Sequence, residues 1–118
     1  MAIVCRGVRG ATTTEENSKE AIFQATKELL EDMVTKNDIE TPDIAAAFFT
    51  TTTDLNATFP AAAAREMGWE SVPLMCSHEM QVPDALERCI RIMILLNTYK
   101  PQEEISHSYL RKAINLRG

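Results

Sequence analysis

The sequence predicts a mixed α/β (α+β) domain, a β-sheet with one long amphipathic helix packed on one face and a short second helix. Three observations predict it. Apolar residues from Ile22 to Val34 recur at helical spacing. Short β-branched segments such as Ile44 to Thr53 read as buried strands. An alanine-rich run between Pro60 and Gly68 is bounded like a short helix. With 118 residues, the chain is expected to form one domain spanning residues 1–118.

Ile3 to Val8 reads as the first strand. Gly10 then reads as a turn, and Thr12-Thr13-Thr14 leads to Asn17, which forms a capping-box-like pair with Glu20. Ile22, Phe23, Leu29, Leu30, Met33 and Val34, with Thr26 among them, share one helical face opposite Lys19, Lys27, Glu28, Glu31 and Asp32. Thr41-Pro42-Asp43 breaks the helix, and Ile44 to Thr53 forms a buried strand ending in four threonines. Pro60 sits at the first turn of a helix running through Ala61 to Met67, with Gly68 as its stop.

Val72 to Cys76 reads as another strand. Leu86 to Leu96 suits a central strand or a buried helix, and its isoleucines favour strand. That strand carries Arg91 on one face with Cys89 and Met93, and Arg88 on the other with Ile90 and Ile92. Pro101 opens a short helical turn, and His107 to Leu116 forms a last strand with Tyr109 on one face. The order β-α-β-α-β-β-β implies a mixed sheet covered on one side by the long helix. A partner subunit is the simplest cover for the other side.

Composition narrows the function. A net charge of -5 argues against a general nucleic-acid or anionic-membrane surface, since both need clustered positive charge. No apolar run is long enough to span a membrane and the start lacks a signal peptide's features, so a cytoplasmic protein is expected. Cys5, Cys76 and Cys89 form no C-x-x-C pair and read as reduced thiols. Lysines sit in polar segments, whereas Arg6, Arg9, Arg88 and Arg91 interrupt apolar ones. Guanidinium keeps its charge when partly buried and its fork matches a carboxylate, so this bias suits a carboxylate site. Snorkelling from sheet edges is the competing explanation.

Cys76, His78 and Glu79 lie close together, but on a strand the first two point to one face and Glu79 to the other. Zinc sites usually want three or four protein ligands, so no metal is expected. Cys89 sits in an apolar run where a thiol is inert, and no base is evident for Cys76. The sequence has no glycine-rich phosphate loop, no G-x-S-x-G elbow and no H-E-x-x-H, and no cofactor is expected.

A collinear set of segments nevertheless resembles the monofunctional trimeric α/β chorismate mutases. It comprises Arg6-Gly7-Val8-Arg9-Gly10-Ala11-Thr12-Thr13, Phe59-Pro60-Ala61 before Arg65-Glu66, Gly68-Trp69, Val72-Pro73, Cys76 and Glu79-Met80. Cys89-Ile90-Arg91-Ile92-Met93, Pro101-Gln102, His107, Tyr109-Leu110 and Leu116-Arg117 complete it. The resemblance implies a homotrimer with clefts between subunits, acting on chorismate by an intramolecular Claisen rearrangement to prephenate. Such a reaction needs a folded substrate conformer and fixed cations for the ether oxygen, with no covalent intermediate.

By the same resemblance, Arg91 faces the ether oxygen and the enolpyruvyl carboxylate. Arg9 and Tyr109 bind that carboxylate, and Glu79, with backbone near Cys76, orients the ring hydroxyl. Phe59, Leu74 and Leu116 are implied as apolar walls, Met75 and Cys76 as substrate-binding neighbours, and Arg65 and Arg117 as basic residues at the cleft mouth. Two departures are expected to weaken substrate binding: Ala62, where relatives often have lysine, and a chain end close behind Arg117. A small trimeric imine or enamine deaminase, or a non-enzymatic carboxylate sensor, are the alternative readings.

Overall fold

The structure, a computed structural model, describes residues 2–116. Strands β1 (Val4–Thr13), β2 (Ile44–Thr51), β3 (Leu74–His78), β4 (Cys89–Thr98) and β5 (Ser108–Tyr109) alternate with helices α1 (Lys19–Asn37) and α2 (Ala61–Glu66). They form one sheet in the order β3-β2-β4-β1-β5. Central β4 runs antiparallel to both β1 and β2, while the edge strands β3 and β5 pair in parallel with β2 and β1. The sequence expected this element order and the mixed sheet.

Alternation along the strands sets the core. Ile90, Ile92, Ile94 and Leu96 of β4 are buried, as are Val8 of β1 and Ala47 and Phe49 of β2. They pack with Leu29, Leu30 and Met33 of α1 and Ala61 and Ala64 of α2 in continuous apolar clusters. Each of the larger of these side chains, valine, leucine, isoleucine, methionine or phenylalanine, contributes roughly 1.5–3 kcal/mol when fully buried. Gly10 lets α1 approach β1, because a Cβ there would stand 2.5 Å from the Met33 sulfur and 3.1 Å from Leu29. Glycine at this point is therefore a packing requirement within β1, where a turn was expected, and the strand runs on through Thr13.

Helix α1 begins one residue later than its expected cap. Ser18 is the N-cap, with its hydroxyl accepting from the Ala21 N–H at 3.1 Å. Asn17 is occupied elsewhere: its Oδ1 accepts from the backbone N–H groups of Asn56 and Ala57, each at 3.0 Å. It thus ties the helix entry to the loop after β2. At the far end Asp38 takes the left-handed conformation (φ 51°) and donates its N–H to the Val34 carbonyl.

Other boundaries differ from expectation: β2 ends at Thr51, two residues short of Thr53, and α2 at Glu66, with Met67 as its cap. β3 starts at Leu74, not Val72, because Pro73 has no N–H to give, although its carbonyl accepts from Ala47 at 3.0 Å. β4 starts at Cys89, after Arg88 turns through φ 45°, so Arg88 lies outside the strand's alternation. The final strand is only Ser108–Tyr109, because Arg111 adopts φ 52° and the chain winds into a 3₁₀ turn at Arg111–Ala113. Among the described residues no helix is long and apolar enough to cross a membrane.

Asn37, buried at the end of α1, locks the segment that leads into β5. Its side-chain NH₂ donates to the carbonyls of Met33 (2.9 Å) and Ser106 (2.8 Å), and its Oδ1 accepts from the Ser106 N–H at 2.8 Å. Asn37→Ala removes all three bonds and strands buried backbone groups. It is expected to cost about 2–3 kcal/mol, read as a lower urea midpoint at fixed protein concentration. An unchanged midpoint would remove Asn37 as the anchor.

Candidate active site

The sheet face turned away from the helices collects the charged residues. Its positions follow from the register: Arg91 stands opposite Ala11 on β1 and Thr50 on β2, and Arg9 stands opposite Met93. Tyr109 pairs in parallel with Ala11, and the Leu110 N–H continues the ladder to the Ala11 carbonyl at 2.9 Å. The backbone of Arg9 is held by its own N–H, which donates to His107 Nδ1 at 3.0 Å.

Arg9, Arg91, Tyr109 and Leu116 line one small cavity of about 120 Å³ together with Gly10 and Ala11. Glu79 reaches the same arginine from the other side. It follows β3, its N–H donates to the Thr51 carbonyl at 2.7 Å, and its Oε2 stands 3.7 Å from Arg91 Nε. The same oxygen accepts a hydrogen bond from the Thr50 hydroxyl. The sequence reading missed Thr50. The only sequence signal was the threonine run that closes β2, which does not single out one hydroxyl among four.

The arginine bias resolves into two pairs. Arg6 and Arg88 donate from Nε to backbone carbonyls, of Lys100 at 3.0 Å and Thr14 at 3.2 Å. These two guanidiniums brace the chain. Arg9 and Arg91 are the pair on the open face.

The other predicted positions among the described residues lie apart from that cavity. Phe59, 70% exposed, lines a larger cavity of about 520 Å³ with Pro60, Cys76, Ser77, His78 and Lys19. Leu74 and Cys76 pack half-buried against the helix-side core, whereas Met75 is exposed on the open face beside Phe48. Arg65 is exposed on α2, near enough for its charge to act on the Cys76 thiol. Arg117 lies outside the described residues. Cys76 and His78 share a strand face, while Glu79 turns to Thr50 and Arg91, so the three do not converge.

What the fold and this face define first is a class: an α+β protein with two guanidiniums, one carboxylate and one phenol on its open sheet face, a set whose chemistry suits a small anionic ligand. The family model for chorismate mutase type I matches residues 5–118, and the chain belongs to that family. It is 50% identical over 113 residues to chorismate mutase AroH of Thermus thermophilus, covering 95% of this chain and 93% of that protein. It is 44% identical over 116 residues to chorismate mutase AroH of Bacillus subtilis, covering 98% and 91%. A solved chorismate mutase structure from Clostridium thermocellum superposes with a TM-score of 0.90 at 48% identity, covering 91% of this chain and 96% of that one. The deaminase reading is thereby set aside.

Burial pushes the Cys76 and Cys89 thiols up, against the opposing pull of the Ala61 N–H and Arg65 on Cys76 and of Arg91 on Cys89. A raised value leaves less thiolate at neutral pH, and thiolate is the reactive form. Cys89 is 1% exposed and is expected to react with a chromogenic disulfide at pH 7 only after unfolding, with Cys76 slowed less. Equal rates for Cys89 in native and unfolded protein would contradict this account.

Proposed function

We propose that this chorismate mutase uses Arg91, Glu79, Arg9 and Tyr109 as its catalytic groups, in a single domain whose site is completed between subunits of a homotrimer. Chorismate rearranges to prephenate as an ether C–O bond breaks and a C–C bond forms within one molecule. Nothing leaves and nothing is added. The protein's task is therefore to hold the folded conformer and to meet the negative charge that grows on the ether oxygen.

The observation that carries the reading is the grouping of Arg9, Arg91 and Tyr109 around one cavity. Two guanidiniums against one glutamate leave a net positive site for a substrate with two carboxylates. Arg91 is held on the central strand, so its donors need little rearrangement as charge develops. Arg9 and Tyr109 bind the enolpyruvyl carboxylate, and Glu79 accepts from the ring hydroxyl. Leu116 closes the apolar side.

Two features support the trimer. Phe59 and Cys76 line a different cavity from Arg9, Arg91 and Tyr109, so within one chain the proposed walls do not share a space. The open sheet face also exposes Phe48 and Met75 beside half-buried Met93 and Leu95, an apolar patch a neighbouring copy would cover. Docking of that copy brings its wall of Phe59, Leu74 and Cys76 toward the arginines, with Arg65 at the mouth and Met75 in the covered patch beside the substrate; family resemblance adds Arg117, outside the described residues, at the mouth. We place the enzyme in the cytoplasm, in keeping with its free cysteines.

Arg91→Lys keeps the charge but loses the fork and moves the donor. It is expected to lower kcat/KM for chorismate by about 10²–10³-fold, followed as loss of chorismate absorbance. Near-normal turnover would remove Arg91 from the mechanism, and chorismate binding without turnover in the wild type would favour a sensor.

The shared site has its own test. Arg91→Ala and Phe59→Asp chains are each expected to form impaired homotrimers. Co-refolded at equal amounts, they should recover activity in about a quarter of the clefts, those with both walls intact. No recovery in verified mixed trimers would place both walls in one subunit.

A further inference from the structure

We propose that Thr50 is a positioning residue for Glu79, one that keeps this carboxylate from closing onto Arg91 and so leaves both groups open to substrate. The inference deepens the reading above, since it rests on Glu79 and Arg91 belonging to the site.

Three facts about the sheet lead to it. Thr50 lies on β2 directly between Arg91 of β4 and Ser77 of β3, and by register all three side chains project from the same face. Glu79 follows just beyond the end of β3, where its backbone N–H is still tied to the Thr51 carbonyl at 2.7 Å. Its side chain therefore folds back over Thr50, whose hydroxyl donates to Oε2.

The consequence lies in the Arg91 contact. The Nε to Oε2 separation of 3.7 Å is an ion pair but exceeds hydrogen-bond length. Left alone, an arginine and a glutamate this close tend toward a bidentate fork, with two short parallel bonds. Such a fork would consume the donors needed at the ether oxygen and the acceptor needed at the ring hydroxyl.

Thr50 competes for the same oxygen from a fixed point on an inner strand. A hydroxyl has a short reach and one proton to give, so it anchors Oε2 and leaves Oε1 uncommitted. Valine has the same shape and β-branching but nothing to donate. In Thr50→Val the glutamate is released to the guanidinium beside it.

The test is a double-mutant cycle on purified, assembled enzyme with chorismate as substrate. Thr50→Val is expected to lower kcat/KM by about ten- to a hundredfold, the worth of a hydrogen bond to a charged group. Thr50→Ser, which restores the donor, recovers most of that loss. Glu79→Gln lowers activity by itself, and adding Thr50→Val to it should change little further, because Thr50 acts through the carboxylate. A purely structural threonine would instead lower the unfolding midpoint and add its full effect in the Glu79→Gln background, and that result overturns the proposal. Unchanged turnover in Thr50→Val alongside an impaired Glu79→Gln sinks the role of Thr50 alone. Normal turnover in Glu79→Gln sinks the assignment of Glu79, and the positioning role with it.

Discussion

A strand hydrogen-bonded on both sides can send only every second side chain into one core, and in this protein that constraint falls on β4. Its even-numbered residues Ile90, Ile92, Ile94 and Leu96 are buried against the helices. The odd-numbered ones, Arg91 and Met93 among them, must then face the other way. The antiparallel registers with β1 and β2 bring Ala11 and Thr50 alongside Arg91 and Phe48 and Arg9 alongside Met93. A slip of one residue would turn Arg91 into the core beneath the helices without a partner and push the β4 isoleucines out to the open face, at a cost of several kcal/mol. Core packing and the placement of the charged group are therefore settled by the same pairing.

Keeping charges available is the harder half of such an arrangement. A folded chain offers many acceptors, and Arg6, Arg88 and Arg111 all donate to backbone carbonyls. Arg9 stands beside Met93 and Arg91 beside Ala11, side chains with no oxygen acceptor to offer a guanidinium. The carboxylate of Glu79, which reaches Arg91, is engaged through Thr50. Preorganised, incompletely satisfied donors reduce stability on their own account, and the aliphatic core on the opposite face offsets that cost.

Much of this was legible in the sequence, for identifiable reasons. Helix α1 showed because its apolar stripe repeats over many turns, and β4 because isoleucine density outweighed the helical alternative. Arg91, Arg9, Glu79 and Tyr109 were singled out together only by family resemblance; residue pattern alone placed Glu79 and Tyr109 on strand faces without giving them a role. The misses are local. Asn17 and Ser18 both suit a cap, and only the loop around Asn56, distant in sequence, decides between them. Gly10 looked like a turn because its reason for being small, contact with Met33, is tertiary. The expected long final strand failed at Arg111, whose left-handed backbone no propensity scale foresees. Thr50 went unnoticed because one hydroxyl among four threonines gains meaning only from what curls over it.

The shortness of β5 shows how the two faces stay coupled. Two residues of parallel pairing cannot hold an edge strand in place by themselves. The segment is fixed from the helix side instead, by Asn37 clamping Ser106, and then from β1, where the Arg9 N–H meets His107. Tyr109 emerges on the opposite face two residues later. Its position is thus dictated by a buried amide at the end of α1, on the far side of the sheet. Residues that never approach the open face still determine its geometry, which makes the helix layer part of the apparatus that aims the site as well as the source of the core.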